Sequence, residues 1–305
     1  MMYRPDNRQF GFTLLEAVVV MVVIGILSAG IAVFMTRPIE GYVDAVRRAE
    51  LTDQADVALR RMARDIRLAL PNSLRLKDSS NVTVTSCSAG TDCAIEFIKT
   101  KWGGRYRDTS DGSTGGNFLD FSGTMTNPGC AGLPSRCFDA LGTADPASPP
   151  DAANGDYLVV YNDGPEVLGG WDAYAGNNRT TITVTSGTPY MFTMLSNVYA
   201  ALPSRGLMPD ARFQIVGQND KVVRFSCVGG QVLRKSNCDF TPDTTSCGTT
   251  AVLAGGGDVQ ATCELDYQGP ALRRAGLLYV RLILTHTPSG ERVTLFQQIH
   301  VDNAP

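Results

Sequence analysis

The stretch "RQFGFTLLEAVVVMVVIGILSAGIAVFM", Arg8 to Met35, constrains this chain more than any other. From Ala17 to Met35 the sole hydrogen-bonding side chain is Ser28. As a helix rising about 1.5 Å per residue, the run matches a hydrocarbon core of about 30 Å. Arg4 and Arg8 precede it on a short arm and Arg37 follows, a distribution that favours a cytoplasmic amino terminus. Glu16 sits at the head of the run. A carboxylate at the membrane centre costs about 2.5–3.5 kcal/mol and less near an interface, so the segment can insert. Buried laterally without a partner, the same group needs a cation. A cleaved secretory signal, with Ser28-Ala29-Gly30 or Gly30-Ile31-Ala32 as its small-residue site, is one plainer reading, and a simple signal-anchor is another. Neither accounts for Glu16, and a long helical pattern follows the run where a secreted domain would begin.

The 8 Cys (Cys87, Cys93, Cys130, Cys137, Cys227, Cys238, Cys247 and Cys263) all lie beyond the apolar run. An even count on one side of a membrane segment reads as disulfides in an oxidising compartment, the topology that the arginines also favour. Zinc is the competing reading, but no CxxC occurs and there are only 2 His. Cys87/Cys93 and Cys130/Cys137 are close enough to staple their own loops. Cys227 is expected to pair with Cys263 and Cys238 with Cys247, the alternative being the sequential pairs Cys227/Cys238 and Cys247/Cys263. A net charge of −3 supplies no basic field for nucleic acid.

Thr36-Arg37-Pro38 is expected to end or kink the first helix. Beyond it Tyr42, Val43, Val46, Ala55, Ala58, Leu59, Met62, Ile66 and Leu70 recur at three- and four-residue steps, which predicts an amphipathic helix over 36–70, closed by Pro71. Its acids come early and its arginines late, complementing the macrodipole. The organisation that follows is a leader over 1–11, a membrane helix over 12–35, an amphipathic helix over 36–70 and a β-rich head over 71–305.

In that head, strands are expected at 94–99, 157–161, 180–185, 212–216, 221–227, 231–235, 261–267, 277–285 and 292–301. Leu278, Val280, Leu282 and Leu284 alternate onto one face, and Thr287-Pro288-Ser289-Gly290 turns the chain into a final hairpin. Gly229-Gly230 reads as a two-residue primed turn. The segments 100–117 and 137–156 are rich in Gly, Pro, Ser and Asp and read as surface insertions. No nucleophile elbow, phosphate loop or zinc-protease motif is present, and no catalytic residue, metal or cofactor is expected.

The motif "GFTLLEAVVVMVVIGIL" resembles the class III signal of type IV pilins and type II secretion pseudopilins. The resemblance implies cleavage after Gly11 by a prepilin peptidase, N-methylation of Phe12, and pairing of Glu16 with the terminal amine of a neighbouring subunit. It also implies a pilin-like α+β fold, a long amino-terminal helix packed on an antiparallel sheet. Expected partners are the peptidase, major and minor pilins and the inner-membrane assembly platform. The chain is expected in the bacterial inner membrane with its head periplasmic, and afterwards in a pilus or pseudopilus. Four later blocks, "ALRRMARDIRLALPNSLRL", "GDYLVVYNDGPEVLGGWDAYAGNNRTTI", "RFSCVGGQVLR" and "GLLYVRLILTHTPSGERVTLFQQIHVDNAP", resemble minor pilins of mannose-sensitive haemagglutinin pili, akin to J-type minor pseudopilins. Unlike many major pilins, the span carries no proline, and the Cys238/Cys247 pair is an addition to the pattern.

Three functions compete at this level. A non-enzymatic minor pilin is the first, and a membrane-anchored periplasmic enzyme, which no motif supports, is the last. Between them stands an adhesin head in which Trp102, Tyr106, Trp171 and Tyr174, all in segments read as loops, offer stacking surfaces to a glycan. The plainer reading of those aromatics is local packing.

Overall fold

A computed structural model describes residues 11–107, 115–130, 132–133, 135–142, 149–164, 170–201, 211–240, 247–269 and 276–303. Residues 1–10 of the expected leader lie outside that set. The chain divides into two compact units, Met1–Glu50 and Leu51–Pro305.

One helix, α1 (Leu14–Ile66, 53 residues), contributes to both units. Contrary to expectation, helical backbone continues through Pro38. Proline removes a single i→i−4 bond, and helix already propagating on both sides carries the chain past one missing bond. From Leu14 to Phe34 the helix is apolar apart from Glu16 and Ser28, with Leu14, Met21, Ile26 and Phe34 exposed. Its Leu14–Ile31 window has a mean hydropathy of 2.6, long and apolar enough to cross a membrane.

In the second unit α1 buries Leu51, Ala55, Ala58, Leu59, Met62 and Ile66 at three- and four-residue steps. The buried stripe therefore begins at Leu51, and Tyr42, Val43 and Val46, expected on it, are exposed. The helix also stops four residues before the expected Leu70. Leu68 N donates to Asp65 O and Ala69 N to Ile66 O, a tightened last turn. Leu70 N then donates to Ile98 O at 2.7 Å, and Thr100 N to Leu68 O at 2.7 Å. Arg67 N still donates to Ala63 O, and from Leu70 a bond to a neighbouring strand replaces the helical one.

After α1 come β1 (Arg75–Lys77), β2 (Thr83–Val84), β3 (Ser86–Cys87) and β4 (Cys93–Ile98). Next are β5 (Thr100–Tyr106), β6 (Cys137–Leu141), β7 (Tyr157–Val159), β8 (Arg179–Thr185), β9 (Met191–Met194) and β10 (Arg212–Val216). The chain continues with β11 (Val222–Val228), β12 (Gln231–Cys238) and β13 (Cys247–Gly255), and ends with β14 (Val259–Gln268), β15 (Gly276–His286) and β16 (Arg292–Val301). They form a six-stranded sheet β13-β12-β11-β4-β1-β2, a four-stranded sheet β16-β15-β14-β3, and a closed barrel β10-β5-β6-β9-β8-β7. Among the described residues every strand pair is antiparallel.

The barrel occupies the stretch between β4 and β11, which are themselves paired neighbours in the six-stranded sheet. Both segments read as surface insertions supply barrel strands: β5 lies in 100–117 and β6 in 137–156. Two of the glycines that made 100–117 look like a loop, Gly103 and Gly104, lie in β5 with Phe213 close by. A Cβ on Gly104 would stand 2.8 Å from Trp102 and 2.9 Å from Phe213, so only glycine fits this strand against the barrel core. Gly229 and Gly230 do mark a turn, at φ 60° and 74° between β11 and β12.

One core gathers α1 with the inner faces of both open sheets, including Leu76, Ile95, Phe97, Phe225, Val280 and Leu282. Disulfides join those sheets twice, Cys87–Cys93 between β3 and β4 and Cys227–Cys263 between β11 and β14. Cys238–Cys247 links registered partners on β12 and β13, and Cys130–Cys137 closes a short loop leading into β6. The structure thus takes the non-sequential pairing for the last four cysteines.

The opposite face of the six-stranded sheet carries charge. Arg75 on β1, Glu96 on β4 and Arg224 on β11 stand directly opposite one another in register. Arg75 Nε donates to Glu96 Oε1 at 2.8 Å and Arg224 Nη1 to Glu96 Oε2 at 3.2 Å, with Glu96 wholly buried. The Tyr174 ring lies 3.7 Å from the Arg75 guanidinium, and its hydroxyl donates to Ser73 O at 3.0 Å. Burial opposes the charge on Arg75, but Tyr174 and Glu96 outweigh it and its pKa is raised; burial likewise holds the Tyr174 hydroxyl well above its ordinary value.

Candidate functional site

The first described residues place Gly11 and Phe12, the expected leader junction, immediately before α1, and both are exposed. Glu16 lies in the first helical turn. Glu16 N donates to Thr13 Oγ1 at 3.3 Å, while Thr13 N and Thr13 Oγ1 donate to Glu16 Oε2 at 3.3 and 3.2 Å. Thr13 O accepts from Ala17 N, so Thr13 is the N-cap and Glu16 its partner at the third helical position. This is a capping box, a reciprocal arrangement that satisfies two otherwise unpaired backbone donors.

The box changes the electrostatic account of Glu16. Read from the sequence, the carboxylate has no partner until a second subunit arrives. In the structure it already accepts hydrogen bonds at the positive end of a helix, where a negative charge is favoured. Thr13 escaped the sequence reading although T-x-x-E ahead of an apolar run is its signature. A Thr13→Val variant keeps the shape and removes the cap. It is expected to cost about 1 kcal/mol of first-turn stability, read as roughly fivefold faster amide exchange at Glu16 in detergent-solubilised full chain. Unchanged exchange there would rule out the box.

The aromatic residues considered for ligand binding belong to the interior. Tyr106 and Trp171 are 1 % exposed and Tyr174 is 4 % exposed, while Trp102 is half-buried against the same aromatic core. Trp102 stacks edge-on to Phe213 at 5.5 Å, Trp171 edge-on to Tyr161 at 5.8 Å, and Tyr174 covers Arg75. They form no exposed stacking platform. The barrel and the charge row bury them because aromatic rings supply large apolar area and prefer tilted or edge contacts to one another. All eight cysteines are in disulfides, which leaves none of them as a thiolate for metal or for nucleophilic chemistry.

Among known families, the model of the prokaryotic N-terminal methylation motif matches residues 6–32. No curated protein and no solved structure matches the chain. The match spans Gly11 and Phe12, the capping box and most of the apolar run, and the remaining described residues form an α+β arrangement of antiparallel strands with four disulfides. The segment that opens this chain is a type IV pilin-like class III signal sequence.

Proposed function

We propose that the chain is a minor pilin or pseudopilin, a non-enzymatic subunit that serves assembly or initiation of a type IV pilus. Prepilin peptidase cuts between Gly11 and Phe12 and methylates the new terminus. The mature subunit stands in the inner membrane through the apolar part of α1, amino end cytoplasmic and disulfide-linked head periplasmic, until the assembly platform extracts it. Its head takes the pilin-like form of a helix packed on antiparallel strands. On the four later blocks described above, the reading narrows to the type of the MSHA pilus biogenesis protein MshO. A J-type minor pseudopilin of type II secretion is the neighbouring alternative.

The observation that carries this reading is the methylation motif over residues 6–32, with Glu16 in the first turn of the apolar helix. Cleavage would place a cationic α-amine on Phe12, one residue from the capping box. In a bundle of such helices that amine can take Glu16 of a neighbour from its own cap. The exchange replaces neutral donors by an ammonium, and charge-assisted bonds are roughly twice as strong as neutral ones. It also sets the axial register of the packed helices.

Terminal sequencing of the chain extracted from membranes is the direct test. The expected terminus is N-methylated Phe12, and the full leader should reappear when the peptidase is deleted. A native chain that begins at Met1, or close to Ile31, would overturn the reading.

A further inference from the structure

The charge row on the six-stranded sheet extends past Arg224. Lys235 on β12 stands directly opposite Arg224, and Thr250 on β13 directly opposite Lys235. From β1 to β13 the row therefore reads Arg75, Glu96, Arg224, Lys235, Thr250: three cations, one anion and a hydroxyl. Glu96 is engaged by both arginines. Like charges directly opposite on neighbouring strands are unfavourable. Lys235 faces a cation on one side, and on the other it faces only the short side chain of Thr250.

Among the described residues the sheet ends beyond Thr250. β13 is an edge strand, and its residues Gly248 to Val252 are exposed on both faces. Natural edges are usually guarded by lysine, proline or an early bulge, yet β13 reads CGTTAVLAG, without a charge or a proline. Its register irregularity comes only beyond Val252. The open stretch pairs the backbone groups of a template for strand addition with β-branched Thr249, Thr250 and Val252. An added strand lies about 4.8 Å from β13. A lysine side chain can cross a threonine to reach it.

We propose that the β13 edge is a docking site for an extended segment of another protein, and that this segment carries an aspartate or glutamate in register with Thr250. The backbone edge supplies affinity, and Lys235 supplies selectivity. The acid completes a row that alternates correctly as far as Arg224 and then repeats a positive charge. A second copy of this chain fits less well, because β13 laid against β13 brings no carboxylate. The site lies on the head and does not depend on how the amino terminus is processed.

The test uses the full chain in detergent micelles and two capped nine-residue peptides of alternating threonine and valine, one with glutamate at its centre and the other with lysine. Binding is read as amide-exchange protection over Gly248–Val252. The glutamate peptide is expected to bind about tenfold tighter than the lysine peptide, the effect of one well-placed charge pair. Lys235→Glu is expected to reverse that order. Lys235 is half-buried opposite Arg224, so the variant gains an attractive neighbour and should fold; an unchanged melting profile checks this. Equal binding of the two peptides, an order unaltered by Lys235→Glu, or no protection with either peptide would overturn the proposal. So would concentration-dependent self-association that by itself protects Gly248–Val252, because a second copy would then be the occupant.

Discussion

Glu16→Ala is expected to leave the chain cut after Gly11 and inserted in the membrane, yet to reduce its share of the sheared filament fraction about tenfold or more. Removing one member of a buried ion pair strands the other charge and costs about 3–5 kcal/mol. The net loss is smaller than that, because in the separate subunit the Thr13 capping box already satisfies the carboxylate. Two further variants divide the roles. Glu16→Gln keeps an oxygen that can complete a capping box but carries no charge, so it should fail in assembly as Glu16→Ala does. Thr13→Val loses the cap and retains the charge, so it should still assemble. Quantitative immunoblots of sheared and membrane fractions measure all three. Normal incorporation of Glu16→Gln would show that capping, and no intermolecular charge pair, is what assembly needs.

In the head, Glu96→Ala is expected to destabilise the fold by about 3–5 kcal/mol, the usual cost of leaving buried charge unpaired. Glu96 accepts from both Arg75 and Arg224, and the side chain of Arg75 is only 7 % exposed. With the carboxylate gone, two guanidinium groups flank an apolar gap, one of them capped by the Tyr174 ring. The shift in urea midpoint of the full chain in detergent, followed by circular dichroism, reports the loss. A triple variant, Arg75→Met with Glu96→Leu and Arg224→Met, should recover most of it, since apolar replacement of a buried charged triad is often neutral or stabilising. A loss below about 1 kcal/mol for Glu96→Ala would place the row in the class of weak surface pairs.

Much of the fold was legible because it rests on local periodicity. The apolar run, the Leu278/Val280/Leu282/Leu284 alternation and the Gly229-Gly230 turn all mark elements that the structure contains. Features whose cause is a distant neighbour were not legible. Gly103 and Gly104 look like a loop until Phe213 is packed above them. The strands β6 and β9 have five and four residues, too short for a period to register, and the barrel closes only through their long-range partners. Trp171 and Tyr174 read as loop residues, and they are loop residues, but that loop folds inward over the barrel and over Arg75. Thr13 was missed for a different reason. Its T-x-x-E signature is local and plain, but it coincides with a carboxylate whose charge has a second use.

Taken alone, the amino-acid order determined the membrane-compatible helix, the charge at its head and the α+β character of the rest, since each depends on neighbours within a few residues or on bulk polarity. Tertiary structure decided where α1 leaves its helical path, which cysteines meet, and that Arg75, Glu96, Arg224, Lys235 and Thr250 share one line across five strands. Strand register sets that line, and register is settled by which faces the core buries, a property of the whole chain that no short window contains.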